Sequence, residues 1–172
     1  MKWESIAGKL ESMMRDKELN VLKKTEKRGK FMKIDKLDPA NKAGGKFSME
    51  CSLILTEGDS AKTYAVAGID KGAYGKKGRD YFGIFALRGK VMNVRDKNAE
   101  IVAKNKEVTD IIRALNLRHG VDYTKEENYK TLSYGRVIIM TDADCFADDT
   151  ALLIKKISAI SSFPFNCIFL YL

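Results

Sequence analysis

At 172 residues, with 45% apolar and 31% charged side chains, the chain can bury one compact core and is not globally disordered. Two prolines and 13 glycines exclude collagen-like and proline-rich low-complexity architecture, and no run of 18 apolar residues exists to span a bilayer. The net charge of +8 is carried by two blocks, residues 1–46 and 71–98 at +6 each, which flank a segment, 47–70, at −3.

Residues 4–24 place Ile6, Leu10, Met13, Met14, Leu19, Val21 and Leu22 in an imperfect helical stripe. Trp3, Met13, Met14 and Met92 read as packing residues. The basic stretch 23–46, interrupted by Pro39 and Gly44-Gly45, reads as a linker, so residues 1–46 form an N-terminal helix and basic linker. A buried strand is expected over 52–56, ending at Glu57-Gly58-Asp59-Ser60. A helix over 61–66 follows, with Asp59 or Ser60 as its N-cap. The glycine- and lysine-rich segment 71–80 reads as an exposed loop, and 81–87 as a second strand. After it come the basic turn Arg88-Gly89-Lys90 and a short run at 91–94. Residues 107–118 form an amphipathic helix with Val108, Ile111, Ile112 and Leu115 on one face, ended by Gly120. His119 beside it reads as a surface group. A strand over 136–140 runs directly into Thr141-Asp142-Ala143-Asp144. Strand, glycine turn and helix in this succession predict an α/β fold with a mostly parallel central sheet flanked by helices.

Two strands therefore end in carboxylates: Glu57 after the first, Asp142 and Asp144 after the last. In an open parallel sheet, sites form at the carboxyl ends of strands near a reversal of strand order. Three hard oxygen ligands without a His or Cys cluster suit Mg²⁺, with Mn²⁺ or Ca²⁺ as substitutes in binding. A basic surface around such a site fits a phosphate polymer. Spacing alone leaves a second reading open, in which Glu57 and Asp59 cap a helix and Asp142 and Asp144 sit in an exposed turn. The cysteines at 51, 145 and 167 show no metal-type spacing and suit a reducing, intracellular compartment, with nucleus, cytoplasm and virus factory all open.

Three strings carry a family resemblance: Leu-Ile-Leu-Thr-Glu-Gly-Asp-Ser-Ala at 53–61, Leu-Arg-Gly-Lys-Val-Met-Asn-Val-Arg at 87–95, and Ile-Met-Thr-Asp-Ala-Asp at 139–144. With Lys-Leu-Asp-Pro-Ala-Asn-Lys-Ala-Gly-Gly-Lys at 36–46, and the segments 78–83 and 130–135, they resemble the TOPRIM part of type IIA DNA topoisomerases of the eukaryote-like branch. The resemblance implies a Rossmann-like TOPRIM fold over 47–144. It also implies a metal site of Glu57, Asp142 and Asp144, with Glu57 serving as acid or base at the sugar 3′-oxygen. Arg88 and Lys90 would assist catalysis by holding the backbone, with Gly58, Asp59 and Asn93 as further DNA contacts. The implied partners are double-stranded DNA and, in the full-length enzyme, a second copy of the chain, with no membrane. ATP enters only through a separate ATPase domain. Without that domain and the cleaving tyrosine, this stretch is expected to be inactive alone. The alternatives are a non-catalytic DNA-binding TOPRIM module, or another TOPRIM nuclease or primase; the segment at 87–95 argues against the latter two.

The pattern breaks after Asp144, where Phe146 stands in the place of the family's third aspartate. Residues 151–172 are apolar and serine-containing, and 145–172 are expected to lie outside the fold, as a shifted reading frame or as the start of an intein with Cys145 as its nucleophile, with a genuine divergent ending as the third reading.

Overall fold

In a computed structural model of the chain, the residues described are 34–72, 75, 77–88, 99–141, 152–155, 157 and 167–171, with 8, 9, 12–14, 16 and 17 near the start. The apolar runs become strands, as their composition requires. β1 (Leu37–Asp38), β2 (Ser52–Glu57), β3 (Phe82–Leu87), β4 (Arg136–Thr141) and β5 (Cys167–Tyr171) form a five-stranded sheet in the order β1-β3-β2-β4-β5. The last four are mutually parallel, and β1 runs antiparallel to β3. The architecture is the mixed α/β class with a mostly parallel sheet.

Parallel strands are covered on both faces, so their apolar residues serve two cores. Helix α1 (Gly58–Asp70) brings Ala65 and Ile69 against Ile54, Phe82, Ile84 and Ile138 on one face. On the other face Leu53, Leu55, Phe85, Leu87, Val137 and Ile139 meet Val108, Ile111, Ile112 and Leu115. Period-two alternation along β2, with Ile54 facing one way and Leu53 and Leu55 the other, produces this division. Two short helices, α2 (Gly78–Tyr81) and α3 (Ala99–Lys104), precede the long helix α4 (Lys106–Leu115), and α5 (Glu126–Tyr129) leads toward β4.

Several boundaries differ from the sequence expectation for local reasons. α1 begins at Gly58, and Glu57 occupies its N-cap position without a side-chain capping bond, so neither Asp59 nor Ser60 caps it. Gly58 has φ +77, a conformation glycine adopts freely, and this lets the strand turn directly into the helix. α4 is capped by Asn105, whose side chain accepts from the N–H groups of Glu107 at 2.9 Å and Val108 at 3.2 Å. It ends at Asn116 rather than Gly120, because Asn116 itself takes the left-handed conformation at φ 59. His119 is buried, not a surface group. Met13 and Met14 are exposed rather than packed, while Trp3 and Met92 lie outside the described residues.

The run-in and the tail both join the sheet. The segment read as linker supplies β1 and then a buried tie, in which the Ala40 N–H donates to Tyr134 Oη at 3.1 Å. Burial pushes the Tyr134 phenol up to about 12. The tie has room only because residue 83 is glycine: a Cβ there would lie 2.4 Å from Tyr134 Oη.

The expectation that residues 145–172 stand outside the fold is corrected for the described part of that stretch. Leu153, Ile154 and Ile157 are buried in the larger core, and residues 167–171 pair in register with β4. Spacing of i, i+1 and i+4 puts those three apolar groups on one helical face, and the sheet offers that face its cover.

Candidate metal and DNA site

Strand order makes the site. From β2 the chain proceeds to β3 on one side, then returns past β2 to lay β4 on its other side. The reversal falls at β2, where an open parallel sheet leaves a crevice beyond the carboxyl ends of its strands. Glu57, half-buried, is the last residue of β2 and pairs with Leu87 at the end of β3. On the other side Thr56 pairs with Met140, so β4 reaches its own end, Thr141, at the same edge. Glu57 thus lies between the strand that leads into Arg88 and the strand that leads into Asp142.

The remaining expected residues divide into two groups. Arg88 is exposed at this edge, with its backbone N–H donating to Glu107 Oε1. Asp59 is turned toward the run-in, where Lys36 Nζ approaches its carboxylate at 3.1 Å. Gly58 forms the turn between β2 and α1. Lys90, Asn93, Asp142, Asp144 and Cys145 lie outside the described residues.

Among the described residues no group of three His, Cys, Asp or Glu side chains is close enough to hold a metal ion. Of the expected donor set Glu57 alone is described, and it is an oxygen donor of the kind a hard cation takes. Its carboxylate stands at a partly buried strand end, and the neighbouring strand ends one residue before Asp142-Ala143-Asp144 in the sequence.

Composition did not point to a set of charges that surrounds the edge. Arg88 Nη2 and Lys106 Nζ approach Asp35 Oδ2 at 3.8 and 3.2 Å, and Lys62 Nζ lies 2.9 Å from Asp38. The sequence signal was limited to the charged run-in, whose partners come from α1, from α4 and from Arg88 just after β3.

A doubly wound sheet with a Glu-Gly-Asp-Ser turn at its strand reversal and an Asp-x-Asp run after the adjoining strand defines the Toprim class. The Toprim domain family matches residues 52–169, and the chain belongs to it. Among individual proteins, it is 44% identical over 154 residues to the DNA topoisomerase 2 of Invertebrate iridescent virus 6, a match that covers 83% of this chain and 14% of that protein. It is 47% identical over 127 residues to human DNA topoisomerase 2-beta, covering 74% of this chain and 8% of the relative. The solved DNA-binding, cleavage and re-ligation domain of Plasmodium falciparum topoisomerase II aligns with a TM-score of 0.62 at 41% identity, over 78% of this chain and 18% of that one. The chain therefore spans a small part of the length of each of these relatives.

Proposed function

We propose that this chain supplies the Mg²⁺-binding and DNA-contacting part of double-strand DNA cleavage and religation in a type II DNA topoisomerase. The carrying observation is the position of Glu57, at the strand reversal and between the strands that lead to Arg88 and Asp142. The names of the similar proteins support the same reading.

In this proposal Glu57, Asp142 and Asp144 hold the ion, which when bound would stabilise the charge of the phosphoryl transition state and the leaving 3′-oxygen. Glu57 also moves the proton at the sugar 3′-oxygen. Arg88 and Lys90 hold the DNA backbone by charge, and Gly58, Asp59 and Asn93 complete the DNA surface. The partners are duplex DNA and a second copy of the chain in the whole enzyme, in an intracellular compartment that contains DNA. ATP acts through a separate domain.

Calorimetric titration with Mg²⁺ and Mn²⁺ tests the reading. Weak binding that disappears in Glu57→Ala and in Asp142→Ala/Asp144→Ala supports it, and equal affinity in Glu57→Ala and the parent refutes it. Phe146, in the place of a third aspartate, favours a second reading, a DNA-binding module without metal chemistry. That reading predicts salt-sensitive DNA binding and no carboxylate-dependent metal uptake.

A further inference from the structure

We propose that Arg88 and Lys106 form a two-cation clamp for a single phosphate of a DNA backbone, and that Asp35 occupies the clamp until the phosphate displaces it. Arg88 follows the end of β3 and Lys106 opens α4, yet both point their charges at the same oxygen, Asp35 Oδ2, at 3.8 and 3.2 Å. That oxygen belongs to neither element; it comes from the run-in just before β1. A guanidinium and an ammonium that meet at one oxygen would repel each other without an anion between them. Their convergence suits an anionic phosphate oxygen, with a guanidinium nitrogen approaching from one side and an ammonium point charge from the other.

The clamp is fixed from behind. The Arg88 backbone N–H is held by Glu107 Oε1, and Asn105 caps the turn from which Lys106 projects. The Glu107 carboxylate is thus engaged with the Arg88 backbone. The contact in front is loose: the side chains of Arg88, Asp35 and Lys106 are 58%, 63% and 63% exposed. Ion pairs this exposed contribute little to stability, so a DNA phosphate, favoured by counterion release, can replace the carboxylate. Asp35 is also tethered. Lys36 pairs with Asp59 and Asp38 with Lys62, which keeps the carboxylate near the clamp as an intramolecular competitor.

The inference rests on Arg88 contacting DNA, and the test separates the two claims. The full chain is titrated into a short, labelled duplex of mixed sequence, followed by fluorescence anisotropy over a range of salt. Lys106→Ala should weaken binding about 3–10-fold and reduce the salt slope by about one, while Lys106→Arg restores both. Asp35→Asn should tighten binding about 2–5-fold. Lys125→Ala and Glu127→Gln make the same changes of charge near α5, on the segment entering β4 at the opposite edge of the sheet. They should stay within about twofold of the parent. If Lys106→Ala is no worse than Lys125→Ala while Arg88→Ala weakens binding, the clamp is overturned and the DNA face stands. Should Arg88→Ala also have no effect, the underlying reading fails. An Asp35→Asn variant no tighter than Glu127→Gln removes Asp35 from the role of occupant.

Discussion

Beside the β1–β3 ladder, residues 35–40 are attached by side chains in two ways, and these two attachments differ in charge and in burial. At Ala40 the bond is neutral and buried: one N–H on one phenol oxygen, in a space that Gly83 leaves open. At Asp35, Lys36 and Asp38 the attachment consists of ion pairs with side chains 22% to 73% exposed. Breaking the first leaves a buried donor without its partner, whereas breaking the second returns charges to water. The tie therefore fixes where the run-in lies, and the ion pairs can exchange partners. A surface that must meet a polyanion is better built from the second kind.

Perturbing each attachment tests that contrast. Tyr134→Ala removes a fully buried ring together with its hydroxyl and should cost about 3–5 kcal/mol in urea denaturation followed by circular dichroism. Gly83→Ala puts a Cβ 2.4 Å from Tyr134 Oη and 3.1 Å from the Ala40 nitrogen. It should cost about 1–3 kcal/mol, and because the two sites touch, the Gly83→Ala/Tyr134→Phe double variant should lose less than the sum of the singles.

Tyr134→Phe alone should cost about 1–3 kcal/mol by leaving the Ala40 N–H unpaired. It should also change the alkaline limb of stability. The phenol titrates at about 12 in the folded protein, against about 10 when unfolded. Its stabilising contribution is complete below the unfolded value and is lost as pH rises through the folded one, because the unfolded chain gives up the proton first. Denaturation midpoints measured between about pH 9 and 12 should show that decline in the parent and not in Tyr134→Phe. At the exposed attachment, Lys62→Ala should cost under about 1 kcal/mol, and the loss should fade as salt is added. A large, salt-insensitive loss there would erase the distinction between the two.

The parts legible in the sequence were those whose cause is local. The run Leu53-Ile54-Leu55 is apolar on both faces and ends at Glu57, which marks a buried parallel strand and what lies at its end. The helix carrying Val108, Ile111, Ile112 and Leu115 was legible by periodicity. Its stop was not, since Asn116 and Gly120 are both able to end a helix and only the packing of the following segment selects between them. Ala40 and Tyr134 are 94 residues apart, and no periodicity connects them. The placement of Asp35 between Arg88 and Lys106 depends on three elements meeting in space. Around the tail, the shift to apolar and serine residues hid a helical face at 153, 154 and 157, because the face has meaning only once β4 and α4 are there to receive it.

The central position of β2 also governs how the chain is made. On a ribosome, β2 gains β3 after about 30 residues, but its other side waits for β4, roughly 80 residues later. At about 5–20 residues per second, that edge stays open for some 4–16 s. During that interval the backbone of residues 53–55 offers unpaired hydrogen-bonding groups to any neighbouring chain. Nascent lengths that stop short of Arg136 are thus the ones expected to associate with each other or to engage a chaperone.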